Sequence, residues 1–470
     1  MSAKRGAAVL ISGQAGGFLL RFIRNILVAR LLSVEDYGIA STFVVAMSLV
    51  QMSTNLNFRV LLVQSRDGDD PDFMAAIQGL NILRGLVVGV ILFVAAAPIA
   101  RLMGQPDLIW PYQMVAILPV IAGFGHADVE RLHRTMRFGA TVIQNLSSLS
   151  LSLILLWPLA LWLGDFRVML GLYAVEQLTR TGISHILAER TFRVIWEGQV
   201  ALQALKFGWP LLLAQALLFA TQQGDRIIVA NQFGAHMLGL FSAAVNLTMP
   251  LSLLLAGLSR TFFLPLLSKA QDAPELFADR AAFAMQATLC AGLLGVVGFG
   301  ILGPPVLLVI FGEKYAEALP LVGMIGTIFA LAIPRAGLTT VAIAKGHTIN
   351  MLITNSVRIA FLPLVIWVAI STGSVLMLLT VSLVAEMIAL FVAFLLLQFQ
   401  TRLGGLGRML LPYGLAVACI AVMALAILRA PDNIAGLTPV SLAAVGLFLG
   451  VILSCRTLLG ELRARFLKRG

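Results

Sequence analysis

The chain has 470 residues, 59% of them hydrophobic and only 12% charged, with a mean hydropathy of +0.96. Soluble domains carry about 25% charged residues, so a soluble fold is excluded and the chain reads as an all-α polytopic membrane protein. The net charge of +11 does not indicate a nucleic-acid partner, because the basic residues sit in short loops and inside apolar runs rather than in a soluble basic module.

The first apolar run, residues 7–32, is long enough to cross a bilayer at about 1.5 Å per residue. Met1 to Arg5 resembles the basic start of a signal peptide, but the run is too long and carries arginines, so it is read as a retained helix. Arg30 reaches the headgroups from the helix end. Arg21 and Arg24 lie well inside, where each costs roughly 2.5–3.5 kcal/mol at the bilayer centre. Their spacing places Gln14, Arg21, Arg24 and Asn25 on one side of the helix. That stripe must face water, an anion or an acid.

Further runs follow at 37–64, 74–100, 107–130, 138–163, 167–189, 207–233, 238–266, 277–302, 318–343, 347–371, 374–399, 408–429 and 436–458. About fourteen transmembrane helices are therefore expected; the run at 304–311 is too short to span. An even number places both termini on one side. Putting them in the cytoplasm gathers most loop arginines and lysines inside, as the positive-inside rule requires. The acidic loop 66–72 dissents, but acidic residues count little in that rule.

A shift of 201 residues superposes Val28 and Ala29 on Val229 and Ala230, Gly38 on Gly239, Ser41 on Ser242 and Arg59 on Arg260. The common offset predicts two pseudo-symmetric six-helix lobes, residues 1–200 and 201–403. Residues 404–470 add two further helices and a basic tail.

Seven arginines fall inside predicted spans: Arg21, Arg24, Arg59, Arg84, Arg260, Arg335 and Arg358. Facing lipid, they would cost about 20 kcal/mol together. Gln51, Asn55 and Arg59 share one helix face, and Gln78, Asn81 and Arg84 share another. Arg59 and Arg260 lie near cytoplasmic ends and can also snorkel. Arg335 follows Pro334 and can satisfy carbonyls freed at a helix break. A cavity lined by guanidinium groups suits phosphate, and apolar walls suit a lipid tail.

Buried acids are fewer: Glu176, Asp225 and Glu386. Glu176 is expected to pair with Arg180 four residues on. Asp225 either pairs with Arg226 or a cavity arginine, or serves as a coupling site for H⁺ or Na⁺; Glu386 is an alternative for that role. The serines at 147, 148, 150 and 152 read as close helix packing. His126, Asp128, Glu130 and His133 read as a solvated turn rather than a metal site. Cys290, Cys419 and Cys455 show no metal or disulfide spacing. No phosphate-binding glycine loop and no large soluble loop is present in the sequence, so neither a cofactor nor an enzyme is expected.

The stretch from Leu27 to Gly38 (LVARLLSVEDYG), the stretch Gly239 to Ala244 (GLFSAA) and the stretch Ile310 to Ala316 (IFGEKYA) resemble the polysaccharide-transporter, or O-antigen flippase, family of the multidrug/oligosaccharidyl-lipid/polysaccharide exporter superfamily. The resemblance implies a bacterial inner-membrane protein that moves undecaprenyl-pyrophosphate-linked oligosaccharide to the periplasmic leaflet by alternating access. It would serve O-antigen, capsule or exopolysaccharide assembly, with membrane lipids and a polysaccharide polymerase as partners. Multidrug extrusion and lipid II flipping are the alternatives within the superfamily, and a polymerase or ligase on the same carrier a more distant one. Similar lipid II flippases use arginines on the first, second and eighth helices, matching Arg21, Arg24, Arg59 and Arg260. Their sodium site would fall at Asp225 and Asn355, but Arg358 stands on the eleventh helix where no acid does, so coupling to H⁺ or to membrane potential is expected instead.

Overall fold

The computed structural model describes residues 3–54, 58–65, 67–401, 407–430 and 437–467; the side chains at 50–54, 58–60, 207–211, 213, 214, 217 and beyond 461, together with those of 3–7, 407 and 408, lie outside that description. Every regular element among the described residues is helical. Eight of the described helices are long and apolar enough to cross a membrane, or nine if the bent pair Ile109–Gly123 and Asp128–Thr135 is one span. The chain is an integral membrane protein. Among the described residues the apolar runs fall on a helix, on part of one, or on two or three consecutive helices, while residues 304–311 lie in the nine-residue helix Gly303–Phe311.

By contact density the chain divides into two compact units, Met1–Gly239 and Leu240–Gly470. The first contains α1 (Ala3–Leu31), α2 (Val34–Thr54), α3 (Phe58–Gln64), α4 (Pro71–Leu102), α5 (Ile109–Val115), α6 (Ile117–Gly123), α7 (Asp128–Arg131), α8 (Gly139–Leu163), α9 (Arg167–Leu187) and the first part of α10 (Gly198–Ser268). Within it α1 packs on α8, α8 on α9, and α4 on both α5 and α6. Ser33 caps α2 by accepting the Asp36 N–H at 3.0 Å. Asp36 in turn accepts the Phe166 N–H at 3.3 Å, which ties the start of α2 to the start of α9.

The predicted span 107–130 is broken into α5, α6 and α7. Such breaks free backbone groups that must be satisfied within the protein. Gln78 on α4 does this: its Nε2 donates to the carbonyls of Gly123 (3.3 Å) and Gly125 (3.0 Å), and its Oε1 accepts the Ala127 N–H (2.9 Å).

Runs 207–233 and 238–266 form one long α10, interrupted at Gly234, whose φ of 78° is a left-handed value that favours glycine. Just beyond it, Gly239 packs against α2. A Cβ on Gly38 would collide with the Ala235 carbonyl oxygen, and one on Gly239 with that of Val34.

The second unit continues with α11 (Pro274–Ile301), α12 (Gly303–Phe311), α13 (Leu319–Ala330), α14 (Ala332–Ala344), α15 (Ile349–Thr372), α16 (Val375–Thr401), α17 (Gly407–Arg429), α18 (Pro439–Ser454) and α19 (Arg456–Leu467). Here α11 is the centre, touching α13, α14, α17, α18 and α19, while α16 packs on α13, α14 and α15. The division at Gly239 follows packing, whereas the expected lobes at 1–200 and 201–403 follow the repeat, so α10 is shared. Sγ of Cys290 on α11 lies 3.7 Å from Sγ of Cys455, and both thiols are free.

The turn at 126–133 is not solvated, contrary to the sequence expectation. His126, Asp128 and Glu130 are buried, Asp128 completely. Asp128 accepts hydrogen bonds from Arg131 Nε (2.5 Å) and from the N–H groups of Glu189 (2.7 Å) and Arg190 (3.3 Å). Asp69 from the acidic loop joins through Arg134 Nε at 3.1 Å, and Arg134 Nη1 also donates to the carbonyls of Leu62, Val63 and Ser65. The acidic loop thus neutralises the basic one. Among the described residues no group of His, Cys, Asp or Glu is arranged to hold a metal ion.

Candidate functional site: two buried arginine–glutamate clusters

In the first unit α1 lies along α8, and α8 along α9, which brings the polar stripe of α1 to Glu176 on α9. Arg24 Nη1 donates to Glu176 Oε2 at 2.6 Å and to Ser152 Oγ at 3.3 Å. Its guanidinium carbon lies 5.5 Å from the centre of the Tyr173 ring, a cation–π contact. Arg24 is 5% exposed. Arg21 Nη2 approaches Glu176 Oε1 at 3.9 Å and keeps half of its side chain exposed. The arginines of α1 therefore face a carboxylate, which explains how they are tolerated at this depth.

The expected Glu176–Arg180 pair does not form as the main contact. Arg180 Nη2 donates instead to Asn145 Oδ1 on α8, and Gln144 donates to the Arg180 carbonyl at 2.9 Å. Arg226 on α10, buried, joins the same neighbourhood: the Tyr173 hydroxyl interacts electrostatically with Arg21, Arg24, Glu176 and Arg226. Its Nη1 donates to Gln223 Oε1 at 3.4 Å, and Gln223 donates to Ser48 Oγ at 3.3 Å. Sequence reasoning treated Arg226 only as a partner for Asp225. The overlooked signal was the repeat, which aligns Arg226 with Asn25 at the same offset of 201 residues.

In the second unit Arg335 (α14), Asn355 and Arg358 (α15) and Glu386 (α16) come together. Arg335 Nε donates to Glu386 Oε1 at 2.7 Å and its Nη1 to Asn355 Oδ1 at 2.8 Å. Arg358 Nε lies 3.2 Å from Glu386 Oε2. The Glu386 side chain is 0% exposed. Two arginines on one carboxylate leave the cluster with a net positive charge, as Arg21 and Arg24 do on Glu176.

The remaining sequence-derived candidates are dispersed. Arg84 and Asn81 are buried on α4, on the helix that holds the turn after α6 through Gln78. Gln14 is exposed, Asn25 half-buried, and Arg260 exposed on α10. Asp225 is half-buried beside Arg226 in the chain. Asn55 and the Arg59 side chain lie outside the described residues.

The two clusters share a register. Asn145 and Asn355, Trp157 and Trp367, and Glu176 and Glu386 are each 210 residues apart. Each asparagine is the seventh residue of its helix, α8 or α15, and accepts a hydrogen bond from an arginine. The buried positions 168, 169, 172 and 173 of α9 recur at 378, 379, 382 and 383 of α16. The offset grows from 201 to 210 across the region where the second unit carries the extra helix α12.

The helical membrane architecture is the multidrug/oligosaccharidyl-lipid/polysaccharide exporter fold. The solved structures agree. A lipid II flippase, MurJ, in an inward closed conformation superposes with a TM-score of 0.64 over 97% of this chain and 98% of that one, at 14% identity. An inward-facing multidrug resistance transporter of the same superfamily gives 0.61 over 82% and 94%, at 15% identity.

The chain belongs to the family described as polysaccharide biosynthesis protein, which matches residues 27–320. Among its relatives, the succinoglycan biosynthesis transport protein ExoT of Rhizobium meliloti is 23% identical over 67% of this chain. The teichuronic acid biosynthesis protein TuaB of Bacillus subtilis is 21% identical over 69% of this chain and 68% of its own length. The match covers 64% of the length of ExoT.

Proposed function

We propose that the protein is a flippase of polysaccharide assembly, carrying an undecaprenyl-pyrophosphate-linked oligosaccharide from the cytoplasmic to the periplasmic leaflet of a bacterial inner membrane, with both termini cytoplasmic. The observation that carries this reading is the excess of arginine over acid in both clusters: Arg21 and Arg24 against Glu176, and Arg335 and Arg358 against Glu386. Guanidinium groups hold phosphate by paired, charge-assisted hydrogen bonds and keep their charge at every physiological pH. A positive site suits an anionic headgroup and opposes the cationic substrates of drug extrusion.

Membership of a polysaccharide biosynthesis family and the exporter fold support a sugar-bearing lipid carrier as that anion. The arginines take the pyrophosphate, the polyprenyl tail stays in lipid, and rocking of repeat-related halves presents the sugar to the other side. H⁺ exchange or the membrane potential supplies the drive, with Glu176, Asp225, Glu386 and Asn355 as the groups available for coupling. A polysaccharide polymerase would receive the product.

The test is reconstitution into liposomes with a fluorescent lipid-pyrophosphate oligosaccharide, scoring leaflet transfer with and without an imposed ion gradient. Transfer that disappears in Arg24→Ala supports the reading. Absence of transfer by the wild-type protein, or export of a cationic dye instead, overturns it.

A further inference from the structure

Burying one carboxylate beneath two guanidinium groups is not the arrangement that best satisfies either partner. A buried charge needs its hydrogen-bonding capacity filled as well as its charge balanced. Both clusters fall short of that. Arg24 Nε is buried without a hydrogen-bond partner, and so is Glu386 Oε2, since Arg358 Nε is near it but off the hydrogen-bonding axis. Neither Glu176 nor Glu386 receives the two-pronged contact of which a guanidinium is capable; Arg24 and Arg335 each give their carboxylate one short hydrogen bond.

The acid is also the constant element of the two sites. Glu176 and Glu386 occupy equivalent positions 210 residues apart, whereas their arginines come from different helices, α1 in one unit and α14 with α15 in the other. Two separate supplies of arginine converge on one carboxylate position.

We infer that Glu176 and Glu386 are internal counter-anions, each occupying an arginine pair that a phosphate group of the ligand takes over, so that each unit holds one anion-exchange site. This rests on the reading that the ligand carries phosphate. While the carboxylate is seated, it holds the arginines in place inside the membrane without ligand. An arriving phosphate offers more acceptor oxygens and more charge, fills the donor left open at Arg24, and displaces the glutamate from the shared guanidinium groups. The half-exposed Arg21 gives the first site an accessible edge.

Removing the competing carboxylate should therefore tighten anion binding. Full-length protein in detergent micelles is titrated with inorganic pyrophosphate at constant ionic strength, and the dissociation constant is read from thermal stabilisation. Glu386→Gln and Glu176→Gln each bind pyrophosphate at least about tenfold more tightly than wild type, a change of about 1.4 kcal/mol. Adding Arg358→Ala to Glu386→Gln abolishes that gain. Affinity that is unchanged or weaker in folded variants overturns the inference, and so does loss of folded protein in both, which would make the carboxylates tethers. Tightening in the variants alongside no lipid transfer by wild type leaves these sites standing and removes the flippase reading; transfer without tightening does the reverse.

Discussion

Gly38 on α2 and Gly239 on α10 are 201 residues apart in the chain and pack against each other. A Cβ placed on Gly38 would lie 2.9 Å from Gly239 N and overlap the Ala235 carbonyl oxygen, while one on Gly239 would overlap that of Val34. Val34 and Ala235 are separated by the same 201 residues. Each glycine thus meets the backbone four residues before the other glycine.

Backbone carbonyls cannot move aside as a side chain can, so these two glycines admit no side chain. Gly38→Ala and Gly239→Ala should each cost about 1–3 kcal/mol, visible as a lowered unfolding temperature in detergent. Gly182→Ala and Gly446→Ala, where an added Cβ meets nothing within 4 Å, serve as neutral controls. Equal tolerance at all four positions would refute the close crossing.

The pair Arg24–Glu176 separates structure from transport. Arg24→Ala leaves a largely buried carboxylate without its short hydrogen bond and with Arg21 3.9 Å away, and breaking a buried pair costs about 3–5 kcal/mol. Replacing both partners, Arg24→Met with Glu176→Leu, removes both charges at similar volume and should restore much of that stability. Leaflet transfer should stay lost in the double variant. Recovery of transport together with stability would show that Arg24 serves only to hold α1 against α9.

Arg335 and Arg358 share Glu386 but not equally. Arg335 gives hydrogen bonds to both Glu386 and Asn355, and hydrogen bonds to charged groups contribute about 1.5–3 kcal/mol. Arg335→Ala should therefore destabilise the protein more than Arg358→Ala does, as measured by thermal unfolding of the two variants side by side. The opposite order would mean that Arg358 is the tether of this cluster.

Much of this architecture is legible in the chain because lipid leaves few choices. A run such as 74–100 has to be a helix, and an arginine such as Arg24 has to find an anion or water. Which anion is another matter. Glu176 and Arg180 stand four apart on one helix, so local spacing favours their pairing, yet the packing of α1 on α8 delivers Arg24 to Glu176 and sends Arg180 to Asn145. The same applies to Gln78: its three-residue spacing with Asn81 and Arg84 indicates a polar face, but only the break after α6 shows that Gln78 is spent on freed backbone groups. The repeat is visible at offset 201 between residues 28–59 and 229–260. Helix α12 then changes the offset to 210, which hid the equivalence of Glu176 and Glu386 from a search at constant spacing. Burial at 126–133 was illegible for a related reason: Asp69, Glu189 and Arg190 reach that turn from distant loops.

That turn supplies the last prediction. Asp128 is fully buried and balances Arg131 while accepting the Glu189 and Arg190 N–H groups, so it fastens the chain after α9 to the turn after α6. Asp128→Asn keeps the shape but removes the charge, leaving Arg131 with Asp69 at 3.7 Å and Glu189 at 3.4 Å. The expected loss is about 3–5 kcal/mol, together with faster proteolysis around residues 66–72 and 189–195, whose fastenings include this turn, the Arg193–Asp72 ion pair and the Ile195 N–H bond to the Ala75 carbonyl. Glu189, just past the end of α9, adds a small acid-sensitive part. The Arg137 hydrogen bond holds its carboxyl below the ordinary value of 4.5. Its contribution is therefore complete above that value and is lost as the pH falls through the depressed one. Glu189→Gln should flatten the acid limb of the proteolysis profile without changing cleavage at neutral pH as much as Asp128→Asn does. Proteolysis of Asp128→Asn at the wild-type rate would show that the buried carboxylate is not what closes these loops.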